Sequence, residues 1–213
     1  MKVRGLIFDL GGVAVEWSNS VTYDYIEQKY GIPSAEFRRE AEKGMPRVQT
    51  REETEEYWMR ETFQRFGPVP EGAGEVWGTT FEAAHYNEEM IKLVKRLRQR
   101  GYRIAALSNL EPSRARWLRR HGIDDLFDVV VFSCEVGERK PDLKVGKPSD
   151  LAVYRLTLSR LGLEAKECIF IDDNVNCVAA AESMGLKSIL FKNAAQVEAD
   201  LREMGVEPDT QRG

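Results

Sequence analysis

The sequence predicts an α/β fold: a Rossmann-like parallel sheet with helices on both faces, plus an inserted helical subdomain. Three observations predict it. Short apolar runs alternate with helical stretches from residue 87 to residue 204. The runs are continuous instead of alternating with polar residues, as expected for strands buried on both faces. Three of them stop on polar residues: Asp9, then Ser108 with Asn109, then Asp172 with Asp173. Ligands of such sheets bind beyond the carboxyl ends of the strands, so these stops mark a candidate site.

The elements follow in order. Residues 3–8 read as the first strand, halted by Asp9 and a turn through Gly11 and Gly12. Residues 18–86 read as helical, charged and aromatic, without a strand pattern. One helix spans 22–30 and ends at Gly31. A second spans 34–43, with Ser34 as its cap and Gly44 as its stop. Thr50 and Glu53 form a capping box that opens a third helix, closed by Gly67, and a fourth lies at 75–84. Asn87 caps a helix reaching Arg100, with Met90, Ile91, Val94 and Leu97 on one face. Strands are expected at 102–107, 129–132, 168–171 and 188–191. Helices are expected at 112–121, starting on Pro112, at 149–161, opened by Ser149, and at 175–184 and 194–204. The organisation is therefore a core of 1–16 and 87–213, with 17–86 as an α-helical cap subdomain.

Bulk properties narrow the function. A formal net charge of −4 gives no electrostatic footprint for nucleic acid or anionic lipid. No apolar run approaches the roughly 20 residues of a membrane span. The N-terminal apolar stretch is short and broken by Asp9, unlike a secretion signal. The odd set of Cys134, Cys168 and Cys177, without metal-type spacing, suits buried thiols in a reducing compartment. The expectation is a cytoplasmic protein, monomer or homodimer, without nucleic-acid or membrane partners.

Asp9 alone, or Asp172 with Asp173, could be helix caps. Two acidic strand ends on one rim repel each other without a cation, which favours a joint functional reading. His85 and His121 sit at no strand end and read as surface or helix-end residues. Arg114, Arg116, Arg119 and Arg120, interleaved with Trp117 and Leu118, read as an amphipathic helix with a solvated basic face. Trp58, Trp77 and Phe81 read as apolar core of the helical segment. Trp17 stands where the chain leaves the candidate site.

Four stretches, IFDLGGV, IAALSN, VGERKPD and IFIDDN, occur in an order that resembles the haloacid dehalogenase superfamily, mostly phosphatases. The resemblance implies a phosphoric monoester hydrolase with an aspartyl-phosphate formed on Asp9. It implies Mg²⁺ held by Asp9, the Gly11 carbonyl and Asp173, with Asp172 bound directly or in support. Ser108, with backbone N–H groups near Asn109 and Gly11, would bind the phosphoryl oxygens. Lys140 would place positive charge beside Asp9; Lys147, nearer the next helix start, is the alternative. The substrate class would be a small phosphorylated metabolite, sugar phosphates included.

The sequence departs from that pattern at Gly11, where most family phosphatases carry a second aspartate as general acid and base. Such help is typically worth about 10²–10⁴-fold. Glu16, just past the turn, is the nearest candidate replacement. Family dehalogenases also lack the second aspartate and need no metal, but they have uncharged residues in place of Asp172 and Asp173. A metal-independent 2-haloacid dehalogenase and a silent binding protein are therefore the alternatives.

Overall fold

The computed structural model describes residues 2–141 and 151–208. Strand β1 (Gly5–Phe8) is the axis of the molecule, and all four residues are buried. Further along the chain, β2 is Val15–Glu16 and β3 is His85–Tyr86. β4 (Arg103–Ser108) and β6 (Cys168–Asp172) flank β1 in parallel, aligning Phe8 with Ala106 and with Ile171. β5 (Val129–Phe132) and β7 (Lys187–Leu190) extend the sheet to the order β5-β4-β1-β6-β7.

The continuous apolar runs now have their reason. Alternate side chains serve opposite cores. Leu6, Phe8, Ile104, Ala106 and Ile171 pack with Met90, Val94 and Leu97 of α5 (Glu88–Gln99) and with Val197 and Leu201 of α11 (Ala194–Glu203). Ile7, Ala105, Leu107 and Phe170 pack with Val153 and Tyr154 of α9 (Ala152–Leu161) and with Cys177 and Ala181 of α10 (Val175–Ser183). Neither face is left to water, so neither needs polar residues. β6 runs one residue further than its apolar pattern, which makes Asp172 part of the strand. The expected opener Ser149 lies outside the described residues. α6 (Pro112–Arg120) starts on its proline as expected. One-turn helices α7 (Ile123–Leu126) and α8 (Ser133–Val136) flank β5; both are too short for periodicity to signal.

Between β2 and β3 the chain builds α1 (Ser20–Tyr30), α2 (Ser34–Gln49), α3 (Glu55–Gln64) and α4 (Val76–Phe81). These helices bury an apolar cluster of their own around Tyr23, Phe37, Trp58, Phe63 and Trp77. Four expectations need correction here. Ser34 does not cap α2: it is the first helical residue, Pro33 holds the cap position, and no side chain caps that end. α2 does not stop at Gly44 but continues through Pro46 to Gln49. Gly44 is a point of close approach: a Cβ there would lie 2.4 Å from Trp58 Cδ1. Thr50 closes α2, donating its hydroxyl to the Pro46 carbonyl at 3.0 Å. Thr54 is the cap of α3, accepting from the Tyr57 N–H at 3.2 Å. Finally, the last residues of the segment, at 85–86, do form strand. β2 pairs antiparallel with β3 where the chain enters and leaves the insert. No described helix is long and apolar enough to cross a membrane.

Candidate active site

β1 delivers Asp9 to the centre of the sheet's carboxyl edge, and its backbone N–H donates to the Ile171 carbonyl at 2.8 Å. The chain then folds back on itself: the N–H groups of Val13, Ala14 and Val15 all converge on the Leu10 carbonyl. That turn needs Gly12 at φ +76°, where a Cβ would also sit 2.5 Å from Asp173 Oδ2. Glycine at position 12 therefore serves both the turn and the close approach of a carboxylate. Gly11 is different. A Cβ there would meet nothing within 4 Å.

Lys140 is buried among the acids. Its Nζ lies 2.7 Å from Asp9 Oδ1 and donates to Asp172 Oδ2 at 2.6 Å. Its backbone is clamped to the end of β4: the Lys140 N–H donates to Asn109 Oδ1 at 2.7 Å, and Asn109 Nδ2 donates to the Lys140 carbonyl at 3.0 Å. Asn109 thus positions the lysine through its side chain, a contact that sequence reasoning missed. Asp172 Oδ1 also accepts from the Asn174 N–H at 2.7 Å, and Asn174 in turn caps α10. Ser108, at the last position of β4, is buried and lines the same cavity.

Burial works against the charges of Asp172, Asp173 and Lys140. It pushes the Asp172 carboxyl up to about 7; Lys140 pulls it back and the Asp9 charge adds to the rise. Asp173 is raised for the same first reason, with Asp9 again adding. Burial disfavours the Lys140 ammonium as well, but Asp172 and Asp9 overcome that and hold its pKa well above the ordinary value. The proton therefore stays on the lysine. One ammonium then faces three carboxyls, one oxygen of each lying within 4.8 Å of the others. An all-oxygen acidic set with excess negative charge fits a hard divalent cation such as Mg²⁺. Asp9, Asp173 and Asp172 are the side chains able to hold it.

The cavity beside this rim measures about 440 Å³ and runs from Asp9 up to the helical insert. Its far end is lined by Tyr23, Arg38, Glu42, Gln49, Glu111 and Arg114. Glu111, buried just before α6, accepts from Gln49 Nε2 at 2.7 Å and from Trp77 Nε1 at 3.0 Å. These bonds dock the insert on the core through one carboxylate. Arg114 corrects the reading of a solvated basic face: it is 5% exposed, with its guanidinium carbon 4.3 Å from the Trp77 ring centroid and 5.0 Å from that of Phe81. Trp17 also lines the cavity and packs edge-on against Phe81 at 5.1 Å.

The structure therefore brings Asp9, Gly11, Ser108, Asn109, Lys140, Asp172 and Asp173 to one cavity. It does not bring Glu16 there. Strand geometry at β2 turns that side chain outward, where its carboxylate lies 3.0 Å from His85 Nε2 with both groups exposed. His121 stacks on Trp117 at the end of α6. Lys147 lies outside the described residues. Cys134, Cys168 and Cys177 are buried thiols, none of them in a disulfide.

The sequence profile of the haloacid dehalogenase-like hydrolases matches residues 3–185. Bifunctional epoxide hydrolase 2 of Sus scrofa is 26% identical, in a match covering 96% of this chain and 38% of that protein. The chain thus spans well under half the length of that relative. A sesquiterpene phosphatase of Aspergillus oryzae is 26% identical over 94% of this chain and 96% of its own. A solved enzyme of Bacteroides thetaiotaomicron, in complex with magnesium and inorganic phosphate, matches with a TM-score of 0.70 at 18% identity. That match covers 89% of this chain and 94% of that one, and is a likeness of fold.

Proposed function

The chain belongs to the haloacid dehalogenase-like hydrolases, and from that premise we propose that it is a Mg²⁺-dependent phosphatase of a small phosphorylated metabolite. One observation carries the reading: a single buried lysine, 2.7 Å from Asp9 and 2.6 Å from Asp172, is outnumbered by three adjoining carboxyls. A metal-free haloacid dehalogenase has no use for that excess of negative charge; a divalent cation does, and the cation in turn attracts a phosphoryl group.

In this reading Asp9 attacks phosphorus, the P–O ester bond breaks, and water later hydrolyses the aspartyl-phosphate. Lys140 pairs with Asp9 at 2.7 Å and adds positive charge beside the transferring phosphoryl group. The Ser108 hydroxyl donates to a phosphoryl oxygen. Asp9, the Gly11 carbonyl, Asp173 and Asp172 are the groups that would hold Mg²⁺, which when bound neutralises phosphate charge and fixes its orientation. No side chain at position 11 protonates the departing oxygen, so the reaction favours esters whose alcohols leave readily. The two named relatives, an epoxide hydrolase and a sesquiterpene phosphatase, set no substrate for this chain.

The test is a screen of phosphorylated metabolites and p-nitrophenyl phosphate, with Mg²⁺ or with EDTA, on the protein and on Asp9→Asn. Hydrolysis that requires Mg²⁺ and falls at least about 10⁴-fold in the variant supports the reading. Halide release from a 2-haloacid in EDTA, without phosphate release, overturns it.

A further inference from the structure

The far end of the cavity holds buried polar atoms that the catalytic reading does not use. Arg114 Nη1 donates to Asn19 Oδ1 at 2.8 Å and lies 3.4 Å from Glu111 Oε2. Its Nε and Nη2 make no hydrogen bond. Those two N–H groups are parallel and form the guanidinium edge that takes both oxygens of a carboxylate. Gln49 commits its Nε2 to Glu111, which fixes the amide and leaves Oε1 as an acceptor without a partner. The Tyr23 hydroxyl is buried and unpartnered too. Burial, then the Glu42 charge, keeps that phenol neutral. All three side chains are at least nine-tenths buried and line the cavity that contains Asp9.

Buried polar groups left without partners are costly and uncommon, and three side chains carrying them around one cavity need a shared explanation. We propose that Arg114, Gln49 and Tyr23 form a subsite for the carboxylate and neighbouring hydroxyl of a phosphorylated hydroxy acid, whose phosphate lies at Asp9. The Arg114 edge takes the carboxylate. Gln49 Oε1 accepts from a hydroxyl, and Tyr23 completes the set as donor or acceptor. A second phosphate fits less well. Two arginines, Arg38 and Arg114, are already paired with Glu42 and Glu111, so a carboxylate on the open donor edge adds one uncompensated charge where a phosphate dianion adds two.

This inference rests on the phosphatase reading for the other end of the molecule, and the experiment separates the two. Three matched pairs are compared: phosphoglycerate with glycerol phosphate, phosphoerythronate with erythritol phosphate, and phosphogluconate with glucitol phosphate. Each is phosphorylated at the end remote from the acid, and each pair differs in whether that remote end is a carboxylate or an alcohol. The expected kcat/KM for the acid exceeds that of its polyol by about tenfold or more in at least one pair. Arg114→Gln and Arg114→Lys bring that ratio close to one, and Tyr23→Phe lowers it by a few-fold. A ratio near one for every pair in the unaltered protein overturns the subsite and leaves the orphaned atoms to water, whether or not the variants fold. If no ester, p-nitrophenyl phosphate included, is hydrolysed, the phosphatase reading fails. Calorimetric titration of the same pairs then decides the subsite: tighter binding of the acid supports it, and equal affinities overturn it.

Discussion

Both ends of the cavity hold buried charges, Lys140 with Asp172 at one and Arg114 with Glu111 at the other, yet they stand in different electrostatic states. At the rim, one ammonium serves three carboxyls, and negative charge is left over. At the insert, two arginines meet two glutamates, and what is left over is hydrogen-bonding direction: an open guanidinium edge, a free amide oxygen and a phenol. A site in the first state responds to any compensating cation or anion-transfer chemistry. A site in the second responds to the shape and polarity of one group. Chemistry and selection are thereby assigned to different physical terms, and each can be perturbed without the other.

Breaking the rim gives the largest effect. Lys140→Ala leaves Asp9 and Asp172 buried without their counterion. Loss of a buried partner costs about 3–5 kcal/mol of stability, and loss of a charge aimed at the phosphoryl group about 10³-fold in kcat. Denaturant unfolding and steady-state kinetics measure the two. Lys147→Ala, the matched control, keeps kcat within about twofold, since Lys140 already holds the ion pairs. An active, stable Lys140→Ala protein would mean that the carboxyls do not oppose one another.

A second change sharpens the rim instead of breaking it. Gly11 has open space where its side chain would be and a backbone outside the left-handed region, so Gly11→Asp enters without a clash. It supplies the missing proton donor beside the leaving oxygen. Alkyl phosphates, whose alcohols leave poorly, gain about 10–10²-fold in kcat/KM, a part of what general acid catalysis provides. Aryl phosphates gain little. The readout is the dependence of rate on leaving-group pKa, which flattens in the variant; an unchanged slope with retained folding would show that proton donation does not limit the reaction.

Charge compensation at the rim also has a pH signature. With Asp172 raised to about 7, and Asp173 raised as well, proton uptake stabilises the fold at low pH, and that contribution is lost as pH rises through about 7. Mg²⁺ competes for the same oxygens and binds their ionised form. Its stabilisation in thermal unfolding is therefore larger at about pH 8 than at about pH 6, with a difference of about 1–2 kcal/mol. Equal shifts at both pH values would place the cation elsewhere.

The rim was legible in the sequence because each of its residues ends a strand or follows one closely. A carboxylate that halts an apolar run is visible in a window of six residues, as at Asp9 and Asp172. The insert end was not legible, because Tyr23, Gln49 and the start of α6, which carries Glu111 and Arg114, are separate in sequence and meet only through packing around Trp58 and Trp77. Gln49 lies beyond the glycine that reads as a helix stop, and the close approach for which Gly44 leaves room is by a tryptophan in another helix. One signal was available. Arg114 stands at i, i+3 and i+4 with Trp117 and Leu118, the buried face of α6, whereas Arg116 and Arg120 point to water. Spacing placed Arg114 on the apolar side; its charge class put it on the solvated one.

Glu16 tests the join between the two ends and carries the smallest expected effect. It follows the turn after Asp9 closely enough in sequence to suggest an acid. In a strand, however, successive side chains take opposite faces, and Val15 is the buried one. Glu16 instead pairs across the ribbon with His85, both more than half exposed, at 54% and 68% of the side chain remaining accessible. Exposed pairs of this kind contribute under about 1 kcal/mol. Glu16→Gln should keep kcat within about twofold and leave the pH–rate profile in place. A tenfold loss with an unchanged profile would make the ribbon, and with it the setting of the insert over the rim, part of the catalytic cycle. A loss confined to one limb of the profile would return proton transfer to Glu16 and require the ribbon to open during turnover.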